Sequence, residues 1–305
     1  MTDERGPGTV EVMTVNVPDA AEIAHDTARS AAQHSGVVVR DLREMSELQA
    51  VAKLFHSVWQ PDESSPLVTI EQLRALTHSG NYLAGAFDGG LLVGACVGFF
   101  AAPAGSSLHS HIAGVSGGMR GRSVGFALKL HQRAWALERG LAEITWTFDP
   151  LVRRNAYFNL VKLGARPREY LVDFYGDIPD AVNAGQGSDR LLVAWELMDP
   201  VVVASCDGSR TEADAEQLKA AGAVLALAET DSGLPEASPV VARDRAAQLL
   251  VQVPGDIETM RMHAPGLAKQ WRLAVREVLG DLIAGGARVS GFSRTGYYVV
   301  ERTAS

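Results

Sequence analysis

Apolar positions along this chain switch repeatedly between helical spacing and short β-branched runs, and that alternation predicts a mixed α/β protein. An alanine-rich stretch from Pro18-Asp19 to about His34 reads as a helix with Asp19 as its N-cap, after a polar, irregular and loose start over residues 1–17. Residues 37–42 read as a strand. Leu48, Val51, Ala52, Leu54 and Phe55 then recur at helical intervals up to Trp59, and residues 70–76 give a second short helix beyond Pro66, with a loop tip at 61–65. Three strands follow at 82–87, 91–101 and 108–115, the first two joined by the turn Asp88-Gly89-Gly90. A long helix over 123–139 carries Val124, Ala127, Leu128, His131 and Trp135 on one face and stops at Gly140, which makes His131 a core residue.

A strand at 143–148 ends in Asp149-Pro150, read as an acidic N-cap with proline at the first position of a helix that runs to about Leu163 and closes at Gly164. Strands at 168–175 and 191–197 flank a glycine-containing loop at 180–188. Beyond Pro200 the pattern loosens. Residues 201–241 are alanine-rich and loop-rich with a break at 231–239, followed by a strand at 249–253, a helical pair over 256–284 and strands at 288–292 and 297–301. Three parts are therefore expected: a tail and helix over 1–36, a central domain over 37–198, and a C-terminal α/β lobe over 199–305 packed on it.

With 47% hydrophobic and 21% charged residues over 305 positions, the chain can bury a sizeable core. Its net charge of -8 argues against nucleic acid or an anionic membrane as the main partner. Only Cys96 and Cys206 are present, with no C-x-x-C pair and no secretory leader read at the start, so the expected compartment is the cytoplasm. The longest run free of acidic and basic side chains, 89–119, is interrupted by Pro103, several glycines and two histidines and reads as buried strands, not a membrane span. No metal site is expected.

The stretch V-S-G-G-M-R-G-R-S-V-G-F-A-L, 115–128, carries the strongest chemical signal. Gly117, Gly118, Gly121 and Gly125 let backbone amides face a ligand, and the helix beginning near Ser123 aims unpaired NH groups and its positive dipole end at the same place. Arg120 and Arg122 add permanent charge. A phosphate cradle and an ordinary glycine-rich turn are the two readings; neither G-x-x-x-x-G-K-[ST] nor a strand-borne G-x-G-x-x-G is present.

R-G-R-S-V-G, Arg120 to Gly125, resembles the pyrophosphate loop of the GNAT superfamily of N-acyltransferases, [QR]-x-x-G-x-[GA], with Ser123 in place of the middle glycine. The predicted order of elements over 37–198 is also that of the GNAT fold, which implies a mixed central sheet flanked by helices. Further runs resemble one bacterial branch of predicted acetyltransferases: His109-Ser110-His111, W-T-F-D-P from Trp146, Arg154-Asn155, N-L-V-K-L-G-A from Asn159, Tyr175-Gly176, Ser188-Asp189-Arg190, Trp195, W-R-L-A-V-R from Trp271 and G-Y-Y-V-V-E-R from Gly296.

The resemblance implies acetyl-CoA or another acyl-CoA as co-substrate, succinyl-CoA being the alternative donor, and a small amine or amino acid as acceptor. It implies backbone donors at Val115 for the oxyanion and at Arg120, Gly121, Arg122, Ser123, Val124 and Gly125 for the pyrophosphate. Ser123 would also cap its helix through the hydroxyl. Asn155 either contacts the pantetheine arm or makes a first-turn hydrogen bond. His109 and His111, two apart on one strand, are candidates for the general base, for metal ligands, or for plain half-buried polar residues. A tyrosine common in the superfamily is Leu160 here, so Tyr157, one turn earlier, is the candidate acid, with aromatic packing as its other role. Arg190 is the candidate for an acceptor carboxylate, with Arg153 and Arg154 as alternatives that could instead meet the phosphates of CoA, and a surface ion pair is its bland role. A non-catalytic acyl-CoA sensor is the rival function; whether the chain forms a homo-oligomer is left open.

Overall fold

Two sheets organise the protein, one of seven strands and one of five. We describe a computed structural model over residues 17–60, 66–103, 105–176, 187–238 and 247–302; the loop expected at 61–65, most of that at 180–188 and nearly all of the N-terminal tail lie outside the described residues. The chain begins with α1 (Val17–His34), β1 (Val38–Asp41), α2 (Met45–Trp59) and α3 (Ile70–His78). Then come β2 (Tyr82–Asp88), β3 (Leu91–Phe100), β4 (Ser107–Val115), α4 (Val124–Glu138), β5 (Glu143–Phe148), α5 (Arg153–Tyr157), β6 (Arg166–Leu171) and β7 (Arg190–Glu196). The seven-stranded sheet has the order β1-β2-β3-β4-β5-β7-β6, with β4 and β5 parallel and every other neighbour antiparallel. This is the mixed, helix-flanked sheet that the family resemblance implied.

Alternation along the strands assigns each face. Leu108, Ile144, Trp146 and Phe148 join Leu128, Ala134 and Trp135 of α4 and Ala24, Ala28 and Ala32 of α1 in one core. Leu83, Ala95 and Val97 join Leu48, Val51, Leu54 and Phe55 of α2 and Leu73 of α3 in a second. On that second face Trp59 lies so close to the sheet that a side chain at Gly114 would meet its ring at 2.6 Å, which only glycine avoids.

Two expected helix starts are corrected. The first helix begins at Val17, so Asp19 stands inside its first turn and is not its N-cap. Asp149 does not cap α5, which starts four residues later with Val152 at its N-cap. Its carboxylate instead accepts the backbone NH of Leu151 and the guanidinium groups of Arg261 and Arg272. The α5 helix continues through a π-turn, Phe158–Lys162, before Gly164 ends it.

The C-terminal lobe has α6 (Pro200–Cys206), α7 (Ala215–Ala220), β8 (Val224–Glu229), β9 (Pro235–Ala237), β10 (Gln248–Gln252), α8 (Ile257–His263), α9 (Pro265–Val275), α10 (Asp281–Ala284), β11 (Arg288–Phe292) and β12 (Tyr297–Glu301). Its sheet runs β11-β12-β10-β8-β9. The stretch read as alanine-rich and loop-rich thus contains a strand, β8, that pairs in parallel with β10. Alanines at 223, 226 and 228 hid it, because alanine is a weak strand former and a parallel partner far along the chain leaves no local trace.

Polar contacts fasten the lobe to the first sheet. Asp149 binds Arg261 and Arg272 at 2.5 and 2.7 Å, with all three side chains at most 12% exposed. Asp189, fully buried, receives Arg276 at 2.7 Å and the hydroxyl of Tyr170 at 2.8 Å. Tyr298 donates to the carbonyl of Pro150 at 2.7 Å. Burial opposes ionisation of Asp149, but the bonds and charge of Arg272 and the charge of Arg261 outweigh it and hold its carboxyl well below the ordinary value of 3.8.

Asp149→Ala is expected to destabilise the folded chain by about 3–5 kcal/mol, because it leaves two buried guanidinium groups without their shared partner; urea unfolding followed by circular dichroism measures it. A folded-state value below the unfolded one means that this stabilisation is complete above 3.8 and lost as pH falls through and below it, so the wild-type advantage over the variant is expected to shrink on acidification below about pH 4.

Candidate functional site

The parallel ladder between β4 and β5 lasts three residue pairs, Ser107–Glu143, Leu108–Ile144 and His109–Thr145, and then stops. Residues 110–115 of β4 therefore keep β3 on one edge and have no strand on the other among the described residues. Ser116 NH bonds the Val93 carbonyl, so the alternation of an antiparallel ladder turns the amide of Val115 to the unpaired edge, toward β5. An extended polar ligand can find strand-like hydrogen bonds there.

At the far end of β4 the chain makes a 3₁₀ turn, Gly117–Met119, and enters α4. Gly121 has φ +83°, open only to glycine at low cost. Ser123 has φ +59° and its hydroxyl makes no capping bond, which corrects its expected role as a cap. It occupies a conformation that favours glycine, and glycine is what the resembled motif carries there. Within this turn Met119, Arg120 and Arg122 donate their amides to Ser116, Gly117 and Met119. The amides of Gly121, Ser123, Val124 and Gly125 find no acceptor among the described residues.

Those four residues, with Val115 and Arg120, line a cavity of about 1130 Å³. Thr27, Ser30 and His34 of α1 form one wall, Tyr157, Phe158 and Lys162 another, and Cys206 to Gly208 of the C-terminal lobe a third. Arg120 and Lys162 bring positive charge and have no ion-pair partner among the described residues. A Cβ at Gly125 would meet nothing nearer than 3.9 Å, so its absence leaves space in the cavity.

Other expected cradle residues are placed differently. Arg122 does not line the cavity: its guanidinium binds Asp88 at 2.8 Å and the Ser35 carbonyl at 3.2 Å, tying the turn to β2 and α1. Asn155 is half-buried in the first turn of α5, and its side chain makes no hydrogen bond to a described residue. Tyr157 reaches the cavity, but its hydroxyl donates to Glu212, which Arg294 also grips at 2.6 Å. Burial and the Glu212 carboxylate push the Tyr157 hydroxyl up to about 12, while Arg294 brings Glu212 down to about 2.

On the opposite face of the sheet the strands bring His109 and His111 together. The register of β3 and β4 skips His111, the extra residue of a bulge between Ser110 and Ile112, and both imidazoles stack near Phe99 with centroids at 5.2 and 5.7 Å. The Nδ1 of His109 lies 3.1 Å from Thr145 Oγ1. Burial lowers the pKa of each, and His109 is lowered further by the charges of His111 and Lys129. Farther along this face Thr147 Oγ1 lies 3.3 Å from the Tyr175 hydroxyl, and the guanidinium of Arg190 sits 5.1 Å from the Tyr175 ring centre. Arg190 donates to the Asp189 carbonyl at 2.9 Å and has no carboxylate partner among the described residues. Arg153 and Arg154 reach the C-terminal lobe, at the Arg294 carbonyl and at Glu258.

The contributions of α1, of Lys162 and of 206–208 went unread in the sequence. Only Lys162 left a signal, in the run N-L-V-K-L-G-A. Among the described residues no three His, Cys, Asp or Glu side chains come together as a metal site, and no helix is long and apolar enough to cross a membrane.

No family model and no curated protein matches this chain. Among solved structures it is similar to the ribosomal-protein-S18-alanine N-acetyltransferase of Escherichia coli, with 13% identity and TM-score 0.43 over 53% of this chain and 94% of that one. It is also similar to an N-acetyltransferase of Staphylococcus aureus Mu50, with 13% identity and TM-score 0.44 over 53% of this chain and 98% of that one. A third similarity is to a putative acetyltransferase of Salmonella typhimurium solved with acetyl-CoA, with 11% identity and TM-score 0.42 over 54% of this chain and 95% of that one.

Both imidazoles are expected to be neutral at pH 7 and to titrate below the ordinary 6.5, since burial disfavours the charged form in each. A pH series of histidine Cε1–H resonances, assigned with His109→Gln and His111→Gln, checks this; titration of either at or above 6.5 would contradict it.

Proposed function

We propose that the protein is an acyl-CoA-dependent N-acyltransferase, with acetyl-CoA as the default donor, succinyl-CoA as the alternative, and a small amine or amino acid as acceptor. The observation that carries this reading is the parting of β4 and β5 beside a helix start whose four unclaimed amides line a large, partly cationic cavity. A pyrophosphate suits those amides and Arg120, and an extended pantetheine arm suits the unpaired edge of β4. The donor fits the residues present.

In this reading the bound donor supplies a thioester. The Val115 amide faces the place where its carbonyl oxygen gains charge. His111, with His109 beside it, takes the proton from the acceptor ammonium; its lowered pKa keeps it in the neutral form that can accept one. Arg190 holds an acceptor carboxylate, a role supported by its lack of a carboxylate partner among the described residues and its stacking on Tyr175. Tyr157, raised to about 12 and bonded to Glu212, holds its proton tightly, so the departing thiolate takes a proton from it only if the Glu212 bond opens. The reaction suits the cytoplasm, where acyl-CoA donors and free amines meet.

That same Tyr157–Glu212 bond favours a second reading, a protein that binds acyl-CoA without turnover. A thiol-release assay with acetyl-CoA and succinyl-CoA against a panel of amines and amino acids separates the two.

Arg120→Glu combined with Gly125→Glu is expected to abolish acyl-CoA binding in calorimetry, because it places two carboxylates among the donors meant for phosphate; unchanged affinity would remove the cavity as the donor site. His111→Ala is expected to lower kcat by about 100-fold or more with donor affinity nearly unchanged. Full activity of that variant would exclude His111 as the base.

A further inference from the structure

Lys129 projects from α4 beneath the point where β4 and β5 part. Its side chain is buried at 4% exposure, and among the described residues it pairs with no carboxylate. A buried ammonium is costly unless hydrogen bonds and polarisable partners replace water around it. Here Nζ donates to Ser110 Oγ at 3.2 Å and to Gln132 Oε1 at 2.7 Å, and lies 3.7 Å from the centre of the Trp146 ring and 5.4 Å from that of Trp195.

Two of those partners are significant by position. His109 and Thr145 form the last pair of the parallel ladder, so Ser110 and Trp146 are the first residue of each strand beyond it. One ammonium touches both sides of the gap at its apex. Because Lys129 claims Gln132 Oε1, the amide of Gln132 is fixed in orientation, and its Nε2 is left buried without an acceptor among the described residues. Among the described residues the cluster therefore holds more donors than acceptors and carries positive charge with no anion beside it.

We propose that Lys129 is a positioning residue of the acyl-transfer site, holding β4 and β5 at the separation the thioester arm requires. The proposal rests on the acyltransferase reading above. When the acceptor nitrogen adds to the carbonyl carbon, the oxygen becomes an oxyanion; when the C–S bond breaks, sulfur leaves with its electron pair and the oxygen returns to a carbonyl. Lys129 acts on that step through Val115: by fixing the separation of the two strands at the apex it holds the unpaired edge of β4, and the Val115 amide that meets the oxyanion, in place.

The groups around Lys129 are few. β3 presents the Cys96 thiol, β4 the Ser110 hydroxyl and, from the other face, His109; α4 presents the Gln132 amide, and β5 and β7 present the indoles of Trp146 and Trp195. Burial lowers the lysine to about 8, with Cys96 opposing the shift, so the ammonium dominates at neutral pH and is lost above about 8.

Lys129→Met and Lys129→Arg in the full chain test this, with acyl-CoA affinity by calorimetry, kcat, KM and the pH dependence of kcat as readouts. Met is expected to leave donor affinity within about threefold, to lower kcat by about tenfold or more, and to remove the decline above pH 8. Arg, whose charge persists, is expected to retain most of kcat and to move that decline to higher pH. A Met variant with wild-type kcat and pH profile overturns the proposal, and so does equal loss of affinity and rate in both variants, which would make Lys129 a folding residue alone. Should circular dichroism show that Met disturbs the fold, an unshifted alkaline decline in the Arg variant overturns it instead. Wild-type protein that binds no acyl-CoA, or binds it without releasing thiol, overturns the acyltransferase reading and this proposal with it.

Discussion

Two parallel neighbours that stop pairing after three residues create an unpaired strand edge inside a protein, and an edge of that kind must be bonded by something other than a strand. Much of the molecule is arranged around that edge. The α4 helix follows β4 after a short turn, and its unclaimed amides line the same cavity as Val115 at the end of the strand. Beneath the apex, the Lys129 ammonium sits against the ring of Trp146. On the opposite face the bulge at His111 releases one residue from strict alternation and sets two imidazoles beside each other against Phe99. A cavity, a row of unclaimed amides and a pair of imidazoles thus surround one interruption in hydrogen bonding.

The C-terminal lobe is tied to the same region by charge. Asp149 stands one residue beyond β5, and its bonds to Arg261 and Arg272 fix the end of a strand whose near half borders the gap. Asp189, just before β7, is held by Arg276 in the same way. Glu212 and Arg294 bring the lobe to Tyr157, and Cys206 to Gly208 complete a wall of the cavity. The lobe is therefore part of the site's framework. Its removal would leave buried carboxylates and an open cavity wall, a combination more costly than the loss of a surface appendage.

Most of the first sheet was legible because its signals are local. Strand 143–148 and the hairpin strands at 288–292 and 297–301 were read to the residue, each from a β-branched or aromatic run bounded by turn residues. The failures share a cause as well. Asp149-Pro150 has the composition of a helix start, and nothing nearby in the chain reveals that its carboxylate is claimed by arginines more than a hundred residues away. Arg122 looks like a phosphate ligand within its motif, yet Asp88 and the Ser35 carbonyl hold it. Lys129 carries no mark in the sequence, because burial without a carboxylate partner has no signature in spacing.

The sequence by itself determined the alternation of elements, the glycine-bearing turn between β4 and α4, and the two histidines on one strand, since propensity, periodicity and backbone freedom act over a few residues. Tertiary structure alone decided where the β4–β5 ladder stops, which arginines are spent on carboxylates, and how a tail helix and a distant lobe line one cavity. Those outcomes depend on which distant groups come within a few ångströms of each other. Coulombic and hydrogen-bond energies are set by that distance and by burial, neither of which is written in the order of residues.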